Sequence, residues 1–298
     1  MTERFDSCEI CGARNWTIHY QGAIRDGVFG QVRADAIVAR CGGCGVDRLD
    51  EASCPEAAIY ETDAYRNKLR EAATTAGHYA AVDQLQLFTQ RALWPESLRG
   101  QTVMDVGAAG GAWLDHVKGV AGRTVAIEPS EVYHQSLRDR GYDVFAYAER
   151  AQTALAGQVD LGVSIQVIEH VGNPRQFLSA LRPLLKPGGK LVISTPNRDD
   201  ILMDLLPDFR SHFYRVVHRW YFDAASLADC AQRAGFAVSQ TRFIHRYGMA
   251  NAISWLRDRR PSGRDRMPSI TPLADDLWAA YLEQSGRADC LYLVLTPQ

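Results

Sequence analysis

Four cysteines in two C-x-x-C pairs stand near the start of the chain: Cys8, Cys11, Cys41 and Cys44. Thiolates at this spacing are typical ligands of a structural zinc ion, and four of them leave no position open for catalysis. A redox C-x-x-C pair and a module that no longer binds metal are the alternatives. With short strands between the pairs, the pattern predicts a small zinc-binding ribbon over residues 1–54.

A glycine-rich turn follows a short apolar segment farther along the chain. The segment Thr102-Val-Met-Asp-Val106 leads directly into Gly107-Ala-Ala-Gly-Gly111. Glycines there let the backbone approach a ligand closely, and the next helix presents its positive end to that ligand. Ala109 stands where a dinucleotide site has its second glycine, which argues against NAD. We predict a nucleotide-like cofactor held by four residues: Asp105, Gly107, Gly110 and Gly111.

Two further strand ends carry side chains that could bind or react. Glu128 ends the second predicted strand, where a carboxylate can accept hydrogen bonds from a ribose; an exposed strand-end glutamate is the alternative. Glu169 and His170 follow the fourth predicted strand, at the edge of the sheet where ligands bind. A neutral histidine can take a proton from a substrate, so we predict His170 as catalytic base, supported by Glu169. Alternatively, His170 only orders the loop or lines the cofactor pocket.

Composition and charge indicate an ordinary globular protein. The chain has 298 residues, 46% of them hydrophobic and 23% charged, with a formal net charge of −2. This balance gives no general attraction to nucleic acid, and no apolar run reaches the roughly 18–20 residues of a membrane span. The first residues show no signal peptide, so we expect a cytoplasmic protein without membrane partners. The oligomeric state stays open.

Alternating strand and helix patterns from residue 99 to 298 must position these side chains. Such alternation is typical of an α/β fold with a mainly parallel sheet covered on both faces. Residues 55–98 are predicted as a helical linker that caps the mouth of the cofactor site. Insertions at 198–222 and 246–288 interrupt the alternation, and we expect them to shape a substrate pocket.

The ordered motifs of this region resemble those of class I S-adenosylmethionine (SAM)-dependent methyltransferases. The motifs are Asp105–Gly111, Glu128-Pro-Ser130, Val167-Ile-Glu-His-Val171, Leu184-Leu-Lys-Pro-Gly-Gly189 and Thr195-Pro-Asn197. The resemblance implies a Rossmann-like, seven-stranded sheet whose last strand is antiparallel. It also implies that Asp105, Gly107 and Gly111 surround the methionine part of SAM and that Glu128 binds its ribose. Glu149 would lie on the adenine side, and Gln166 would line the cofactor floor.

A double C-x-x-C ahead of such a domain is similar to the sugar C-methyltransferases of antibiotic deoxysugar pathways and their natural-product relatives. This resemblance implies a small-molecule acceptor, a sugar or sugar-like intermediate, with a nucleotide sugar among the candidates. Whether oxygen, nitrogen or carbon receives the methyl group stays open. Quinone O-methyltransferases share the segment around Glu169-His170 and can carry acidic metal ligands there. Gln166 replaces one of those acids, so no magnesium is predicted.

Aromatic and histidine side chains in the cap and the first insertion are the candidate acceptor contacts. Similar stretches close over the acceptor in this group of methyltransferases, although an amphipathic lid packed on the core would show the same pattern. An arginine-rich loop between residues 257 and 266 would suit a phosphate, or it is simply a solvated loop. The predicted substrate residues are His78, Tyr79, Asn197, His212, Tyr214, His218 and Tyr221.

Four alternatives compete with this interpretation. Zinc knuckles can bind single-stranded RNA, which keeps an RNA-modifying or RNA-binding protein as an alternative. Residues 1–54 contain no lysine and have acids among their arginines, so a nucleic-acid partner is not expected. A quinone or phenol O-methyltransferase is a further alternative. An NAD-dependent oxidoreductase and a non-catalytic scaffold fit the intact turn and Glu128 less well.

Overall fold

The computed structural model describes residues 5–71, 74–94 and 96–298. The first four residues, on which the expectation about a signal peptide partly rests, lie outside this part. The strands are β1 (Trp16–Arg25), β2 (Val32–Cys41), β3 (Asp47–Leu49), β4 (Thr102–Val106), β5 (Arg123–Ile127), β6 (Asp143–Phe145), β7 (Val159–Ile165), β8 (Leu185–Pro196), β9 (Trp220–Tyr221), β10 (Phe236–Ile244) and β11 (Cys290–Pro297).

The helices lie in the cap, between the strands and in the two insertions. They are α1 (Ala64–Lys68), α2 (Thr75–Val82), α3 (Gln86–Leu93), α4 (Ala112–Val117), α5 (His134–Asp139), α6 (Ala148–Leu155), α7 (Pro174–Leu181), α8 (Ile201–Leu205), α9 (Arg210–Phe213), α10 (Ala224–Arg233), α11 (Met249–Asp258) and α12 (Pro272–Gln284). Within the described ranges, none of these helices has the length and apolar character needed to cross a membrane.

Seven strands form the central sheet, in the order β10-β11-β8-β7-β4-β5-β6. Strands β4 to β8 pair in parallel, whereas β11 runs antiparallel to both β8 and β10. The expected seven-stranded, Rossmann-like sheet with an antiparallel last strand is confirmed. Because its parallel strands share one carboxyl edge, the loops after β4, β5 and β7 meet there.

Helices cover both faces of the central sheet, as the buried side chains of β4 show. Met104 packs into a core with residues of α6, α7 and α10, while its neighbour Val103 packs on the other face with residues of α3 and α4. Successive side chains of a strand point to opposite faces, so each strand contributes to both cores. This explains why the strand segments are continuously apolar.

A second, four-stranded sheet has the order β1-β2-β3-β9. Its first three strands come from the N-terminal segment, but β9 comes from the first insertion and pairs with β3 through Arg48 and Trp220. Trp220 is fully buried in the same core as Cys8 and Cys41. The N-terminal sheet is thus continuous with the segment predicted to form the acceptor lid.

The cap lies over the carboxyl edge of the central sheet. Helix α2 begins after Thr74 because the Thr74 hydroxyl accepts the backbone N–H of Gly77 at 3.0 Å, which satisfies one donor of the first turn. Helix α3 anchors the cap, since Ala92 and Leu93 are buried in the α4 core. Three short α-helices thus lie in the segment predicted as a helical cap, and His78 of α2 contacts the turn after β4.

The two insertions pack on each other and on the N-terminal sheet. A third apolar core joins Val38 and Leu49 with Leu202, Phe213 and Trp255. Helix α10 then starts at a capping box in which the Asp223 carboxylate accepts the backbone N–H of Ser226 at 2.7 Å. The first insertion is consequently held at both ends and buried along much of its length.

Candidate functional site

A cavity of about 590 Å3 opens at the carboxyl edge of the central sheet, beneath the cap. Its walls come from the turn after β4, the end of β5, the start of α6 and the loop after β7, with cap residues between 57 and 89 above them. Asp105, Gly107, Glu128, Glu149 and Gln166 all line it. The structure therefore brings five of the predicted cofactor residues into one cavity.

The glycine turn has the backbone conformation that its sequence predicts. Gly107 and Gly111 have φ angles of +77° and +80°, in the left-handed region that favours glycine. Gly110 is held for a different reason, because a Cβ there would lie 2.7 Å from Nδ1 of His78. The Gly110 N–H donates to that nitrogen at 3.1 Å. His78, predicted as a substrate contact, thus connects the cap to the turn through this hydrogen bond and also lines the cavity.

Glu128 ties the end of β5 to the glycine turn. One carboxylate oxygen accepts the backbone N–H of Ala109 at 2.6 Å, and the other accepts that of Ser130 at 2.8 Å. Burial raises the pKa of Glu128 to about 7, against the effect of these two donors. The carboxylate lies at the cavity wall with remaining acceptor capacity, where it can bind the hydroxyls of a ribose.

Asp105 lies next to Glu128 at the base of the turn. Burial raises its pKa to about 7, and the neighbouring Glu128 charge adds to the shift. A carboxyl group at the cavity wall can bind the amino group of a bound ligand, because a positive charge there would restore its ionised form. The pair provides a negative patch for a cofactor with an ammonium group and a ribose.

Gln166 and Glu149 complete the predicted cofactor set. Gln166 has a φ of +58°, and its side-chain amide donates to the Ser194 hydroxyl at 3.3 Å. This unusual backbone turns the chain at the end of β7 toward the cavity floor. Glu149 lies in the first turn of α6, on the opposite side. Both residues line the cavity.

His170 is fixed in one tautomer by the lid segment. Its Nδ1 donates to the carbonyl of Val217 at 2.7 Å, and the Tyr60 hydroxyl donates to the same carbonyl at 2.8 Å. The Nε2 atom is therefore left as a proton acceptor. Burial lowers the pKa of His170 to about 4, so the ring is neutral near pH 7. A neutral imidazole that lines the cavity can accept a proton, although a pKa of about 4 makes it a weaker base than a solvent-exposed histidine.

Glu169 and His218 stand behind His170. Glu169 is fully buried, both of its carboxylate oxygens lack hydrogen-bond partners, and burial raises its pKa to about 8. The ring of His218 lies edge-on to that of His170, at 4.7 Å between centroids. Donor atoms of the three residues lie within 4.8 Å of one another, so they could also serve as ligands of one cation. Glu169 itself is not among the described residues that line the cavity.

The structure places several predicted substrate residues away from the cavity. Tyr79 donates to Asp115, and the Asn197 amide donates to the carbonyls of Gly286 and Ala288 at 2.9 and 2.8 Å. Both side chains connect elements behind the site. Only His78 and, through His170, His218 approach the cavity among the seven candidates.

The three remaining lid candidates form an aromatic core with the N-terminal sheet. His212 lies 4.6 Å from Trp255 between ring centroids, and Tyr214 lies 5.0 Å from Tyr20. The Tyr221 hydroxyl donates to the carbonyl of Arg215 at 3.0 Å. These contacts match the alternative interpretation of the lid as an amphipathic segment packed on the core.

Cap residues that the sequence analysis did not select also line the cavity. They are chiefly Tyr60, Tyr65 and Arg66. Arg66 pairs with Glu71 at 2.7 Å and lies over the Tyr65 ring. Their only sequence signal is the density of aromatic and basic residues in 60–66, which does not indicate a side of the helix.

The arginine-rich loop does not reach the cavity. Arg257 pairs with its exposed neighbour Asp258 at 2.7 Å, and Arg264 lies over the Phe88 ring at 5.6 Å. A different arginine, Arg246, lines the cavity beside Tyr292, next to the floor residue Gln166. Its Nε donates to Asp289 at 2.7 Å. Arg246 follows β10, and only the antiparallel pairing of β10 with β11 brings it to this edge.

The four N-terminal cysteines meet at one point. Cys8 and Cys44 Sγ atoms are 3.7 Å apart, and those of Cys11 and Cys41 are 3.5 Å apart. A tetrahedral zinc ion with bonds of about 2.3 Å needs sulfurs about 3.8 Å apart, so the set fits zinc. The Cys44 thiol lowers the pKa of Cys8, whereas burial raises that of Cys41, so a metal ion would have to hold the four sulfurs as thiolates.

The start of β9 links this cysteine cluster to the loop that carries His170. The backbone N–H groups of Arg219 and Trp220 donate to the carbonyl of Glu169 at 2.8 and 3.1 Å. The indole N–H of Trp220 donates to the carbonyl of Val171 at 2.8 Å. Since Trp220 also packs with the cysteines, the N-terminal sheet supports the loop that brings His170 to the cavity.

Comparison with known proteins agrees with this geometry. A family model described as a methyltransferase domain matches residues 76–241, more than half of the chain. The chain is 32% identical over 155 residues to a protein of Mycolicibacterium smegmatis described as a probable S-adenosylmethionine-dependent methyltransferase, covering 51% of this chain and 58% of that relative. It is 29% identical over 185 residues to a ubiquinone biosynthesis O-methyltransferase of Roseobacter denitrificans, covering 57% and 71%.

Solved structures show the same fold at low identity. A chain in the complex of the Haloferax volcanii Trm112 methyltransferase activator with a methyltransferase aligns with a TM-score of 0.51 and 17% identity, covering 75% of this chain and 95% of that one. A SAM-dependent methyltransferase of Archaeoglobus fulgidus aligns with a TM-score of 0.50 and 14% identity, covering 74% and 96%. The aligned part spans less than two thirds of the Mycolicibacterium relative, so these comparisons define a domain and its fold.

Proposed function

This chain belongs to the methyltransferase-domain family, and from that premise we propose that it transfers the methyl group of SAM to a hydroxyl group of a small-molecule acceptor. One observation carries the choice of a hydroxyl. The Nδ1 atom of His170 is committed to the Val217 carbonyl, which leaves Nε2 as the proton acceptor of a ring that lines the cavity, with the buried Glu169 carboxyl 3.9 Å from it. A hydroxyl nucleophile needs such a base more than a neutral amine does.

The two halves of the cavity would have different roles: the cofactor half, around Asp105 and Glu128, would hold SAM, and the acceptor half, around His170, would hold the acceptor. SAM, when bound, supplies a methyl group that is already activated by its sulfonium. Asp105 and Glu128 would bind the ammonium and ribose groups, and Gln166 would form the floor beneath the sulfur. His170 would hold the acceptor oxygen and take its proton, so the chain mainly aligns the acceptor for an in-line transfer.

We propose a sugar or sugar-like natural-product intermediate as the acceptor, with a nucleotide sugar among the candidates. The support is the double C-x-x-C ahead of the methyltransferase sheet, together with a cavity of about 590 Å3, within the usual range for small-molecule sites. A phenol-type acceptor is the second candidate. It is supported by the similarity to ubiquinone biosynthesis O-methyltransferases, which covers 57% of this chain for one of them and 50% for another.

The remaining assignments are part of the same proposal. We propose that Cys8, Cys11, Cys41 and Cys44 hold a structural zinc ion, which is supported by the sulfur spacing. Residues 1–54 would form the zinc-binding unit, 55–98 the cap and 99–298 the methyltransferase domain. The protein would work in the cytoplasm, where thiolates stay reduced.

Calorimetric titration of SAM into the zinc-loaded chain tests the cofactor. We expect saturable binding that Glu128→Gln weakens roughly 10- to 100-fold, the worth of one hydrogen bond to a charged group. The matched control is Glu131→Gln, an exposed glutamate on the next turn, and NADH is the ligand that should not bind. A folded, zinc-loaded chain that does not bind SAM would overturn the proposal.

A label-transfer screen then tests the acceptor class. Protein incubated with methyl-labelled SAM is offered nucleotide sugars in one series and dihydroxyphenols in the other. Label in the sugar series supports the first candidate, and label confined to the phenol series replaces it with the second. If amines are offered in parallel, label on an amine but on no hydroxyl compound would contradict the role given to His170.

A further inference from the structure

Two buried polar groups in the cavity wall have no partner in the described part of the chain. Trp113 and Tyr133 both line the cavity, and each residue is only 2% exposed. The indole nitrogen of Trp113 and the hydroxyl oxygen of Tyr133 are buried, and neither makes a hydrogen bond to a described residue. Buried indole and phenol groups normally find such a partner, so a ligand in the cavity is needed to supply it.

Both side chains belong to the part of the cavity beside the glycine turn. Trp113 is the second residue of α4, which begins directly after Gly111. The ring of Tyr133 lies 6.1 Å from that of His78 between centroids, and His78 accepts the backbone N–H of Gly110. The sequence motifs imply that this turn surrounds the methionine part of SAM. The two unpartnered groups therefore lie where that part of the cofactor is expected.

Three backbone donors of the turn are already used within the protein. The Ala109 N–H donates to Glu128 at 2.6 Å. The Gly110 N–H donates to His78 at 3.1 Å, and the Gly111 N–H donates to a carbonyl of the turn itself at 2.8 Å. A glycine-rich turn often offers such N–H groups to an anionic ligand. Because these three groups already have acceptors, an anion beside the turn needs donors from side chains.

The chemistry of the two unpartnered groups suits an anionic oxygen. An indole N–H can only donate a hydrogen bond, and a phenol hydroxyl can donate as well. The acids of this half, Asp105 and Glu128, accept hydrogen bonds when ionised and would repel a carboxylate. The cap arginine of the cavity, Arg66, is paired with a glutamate of the cap at 2.7 Å, so its charge is already balanced. Trp113 and Tyr133 therefore offer donors that the protein itself does not use.

We propose that Trp113 and Tyr133 bind the carboxylate of the methionine part of SAM. This inference rests on the proposed function, because it concerns the cofactor of that reaction. The indole N–H and the phenol O–H would each donate to the carboxylate, and hydrogen bonds to an ionised group are stronger than neutral ones. The two residues would thus distinguish SAM from sulfonium compounds without a carboxylate, whereas Asp105 and Glu128 bind groups that such compounds share with SAM.

Paired titrations of SAM and decarboxylated SAM into the zinc-loaded full chain test this assignment. The two compounds differ only in the carboxylate. We expect the unaltered chain to bind SAM roughly 10- to 100-fold more tightly than the decarboxylated compound. Tyr133→Phe removes only a hydroxyl, so it should weaken SAM binding roughly 10-fold and leave the binding of decarboxylated SAM unchanged. Trp113→Phe should have the same selective effect.

The matched controls are Trp94→Phe and Tyr281→Phe. Both side chains are exposed, and neither residue is among those that line the cavity. Neither control should change the affinity for either compound. If Trp113→Phe does not fold, Tyr133→Phe still decides the outcome, because phenylalanine fills the space of the tyrosine ring.

The indole N–H signals in a nuclear magnetic resonance spectrum give a second measurement. The chain has six tryptophans, and Trp113→Phe identifies the signal that belongs to Trp113. That signal should shift when SAM is added but not when decarboxylated SAM is added. An equal response to the two compounds would remove Trp113 from the proposal.

The outcomes separate this inference from the proposed function. Equal affinity of the unaltered chain for SAM and decarboxylated SAM overturns the inference alone. Equal weakening of both compounds in Tyr133→Phe and Trp113→Phe does the same, because it indicates a packing role. A folded, zinc-loaded chain that binds neither compound contradicts the proposed function instead.

Discussion

The two halves of the cavity differ in how completely their polar groups are satisfied. In the cofactor half, Glu128 accepts two backbone N–H groups, and the Gly110 N–H is taken by His78. Behind His170 in the other half, Glu169 has two oxygens and His218 one nitrogen without partners. Buried polar groups are normally hydrogen-bonded. Trp113 and Tyr133 also line the cavity and keep one unpartnered polar atom each, so a ligand could satisfy polar groups in both halves.

The halves also differ in the range of sequence that builds them. The turn after β4 and the end of β5 are neighbours in one parallel strand pair. The acceptor half is assembled from the cap, the loop after β7, the first insertion and the segment after β10. Contacts over such long separations depend on the N-terminal sheet as well. The two halves should consequently respond differently to the same perturbation.

Removal of zinc should give the largest effect and the clearest separation. Structural zinc contributes about 10 kcal/mol or more to folding of small zinc modules. We expect Cys41→Ser to abolish zinc binding, lower the melting temperature and expose the amides of 217–221 to hydrogen exchange. SAM affinity should fall less. Metal analysis, thermal unfolding and exchange mass spectrometry measure these effects.

The matched control for that experiment is Cys54→Ser, at a half-buried cysteine outside the cluster. It should keep both the zinc and the exchange pattern. Equal loss of protection around β4 and β9 in Cys41→Ser would show that the two halves are one cooperative unit.

Replacement of His170 should affect the acceptor half alone. If His170 is the general base, His170→Ala should reduce turnover about 10²- to 10⁴-fold. SAM affinity should stay within a few-fold, because the contacts of the glycine turn remain. Turnover with the acceptor from the screen and calorimetry with SAM give the two values. His116→Ala, at an exposed histidine, is the control, and turnover retained in His170→Ala would remove the base assignment.

The raised pKa of Asp105 should make the ligand-free cofactor half sensitive to pH. Its folded-state pKa of about 7 lies above the 3.8 that is usual for the unfolded chain. Protonation of Asp105 therefore favours the folded state. It contributes about 4 kcal/mol to the free energy of unfolding below pH 3.8, and this contribution is lost as the pH rises to about 7. Asp105→Asn should flatten that part of the stability curve in urea titrations.

The control for this pH effect is Asp139→Asn, at an exposed aspartate. Its stability curve should follow that of the unaltered chain. Saturating SAM should also reduce the slope, because a bound ammonium group stabilises the ionised carboxylate. An unchanged slope in Asp105→Asn would mean that Asp105 is ionised in the folded protein.

The smallest effect should come from the hydroxyl of Tyr60. Tyr60→Phe removes one hydrogen bond to the Val217 carbonyl, worth about 1 kcal/mol. We expect turnover to fall a few-fold, with a shift in its acidic pH limit, while SAM binding is unchanged. Tyr281→Phe, on an exposed face of α12, should be neutral. Weaker SAM binding in Tyr60→Phe would place this residue in the cofactor half.

Local sequence patterns account for much of the fold. Continuous apolar strands, the glycines after β4 and the position of Glu128 after β5 each reflect constraints within a few residues. The paired cysteines are similar, because each C-x-x-C places two thiolates on one turn. These features predicted the sheet, the cavity and its cofactor wall, and the structure has the predicted sheet and brings these residues together.

Residues that were chosen by type alone lie elsewhere, because the type of a residue does not determine where its side chain points. Tyr79, Asn197, His212, Tyr214 and Tyr221 have the side chains of an acceptor site, yet each is used in packing or in connecting loops. Tyr60 carried only a weak sequence signal and Arg246 none, and both line the cavity.

By itself, the sequence determined the central sheet, the cysteine cluster and the cofactor turn, because their defining contacts are local or follow strand order. Only the tertiary structure decided that β9 joins the N-terminal sheet and that His78 closes on Gly110. It also decided that Arg246, after β10, lines the same cavity as His170. The physical reason is that these contacts join segments far apart in the chain, where packing of three cores, rather than any local preference, selects the partners.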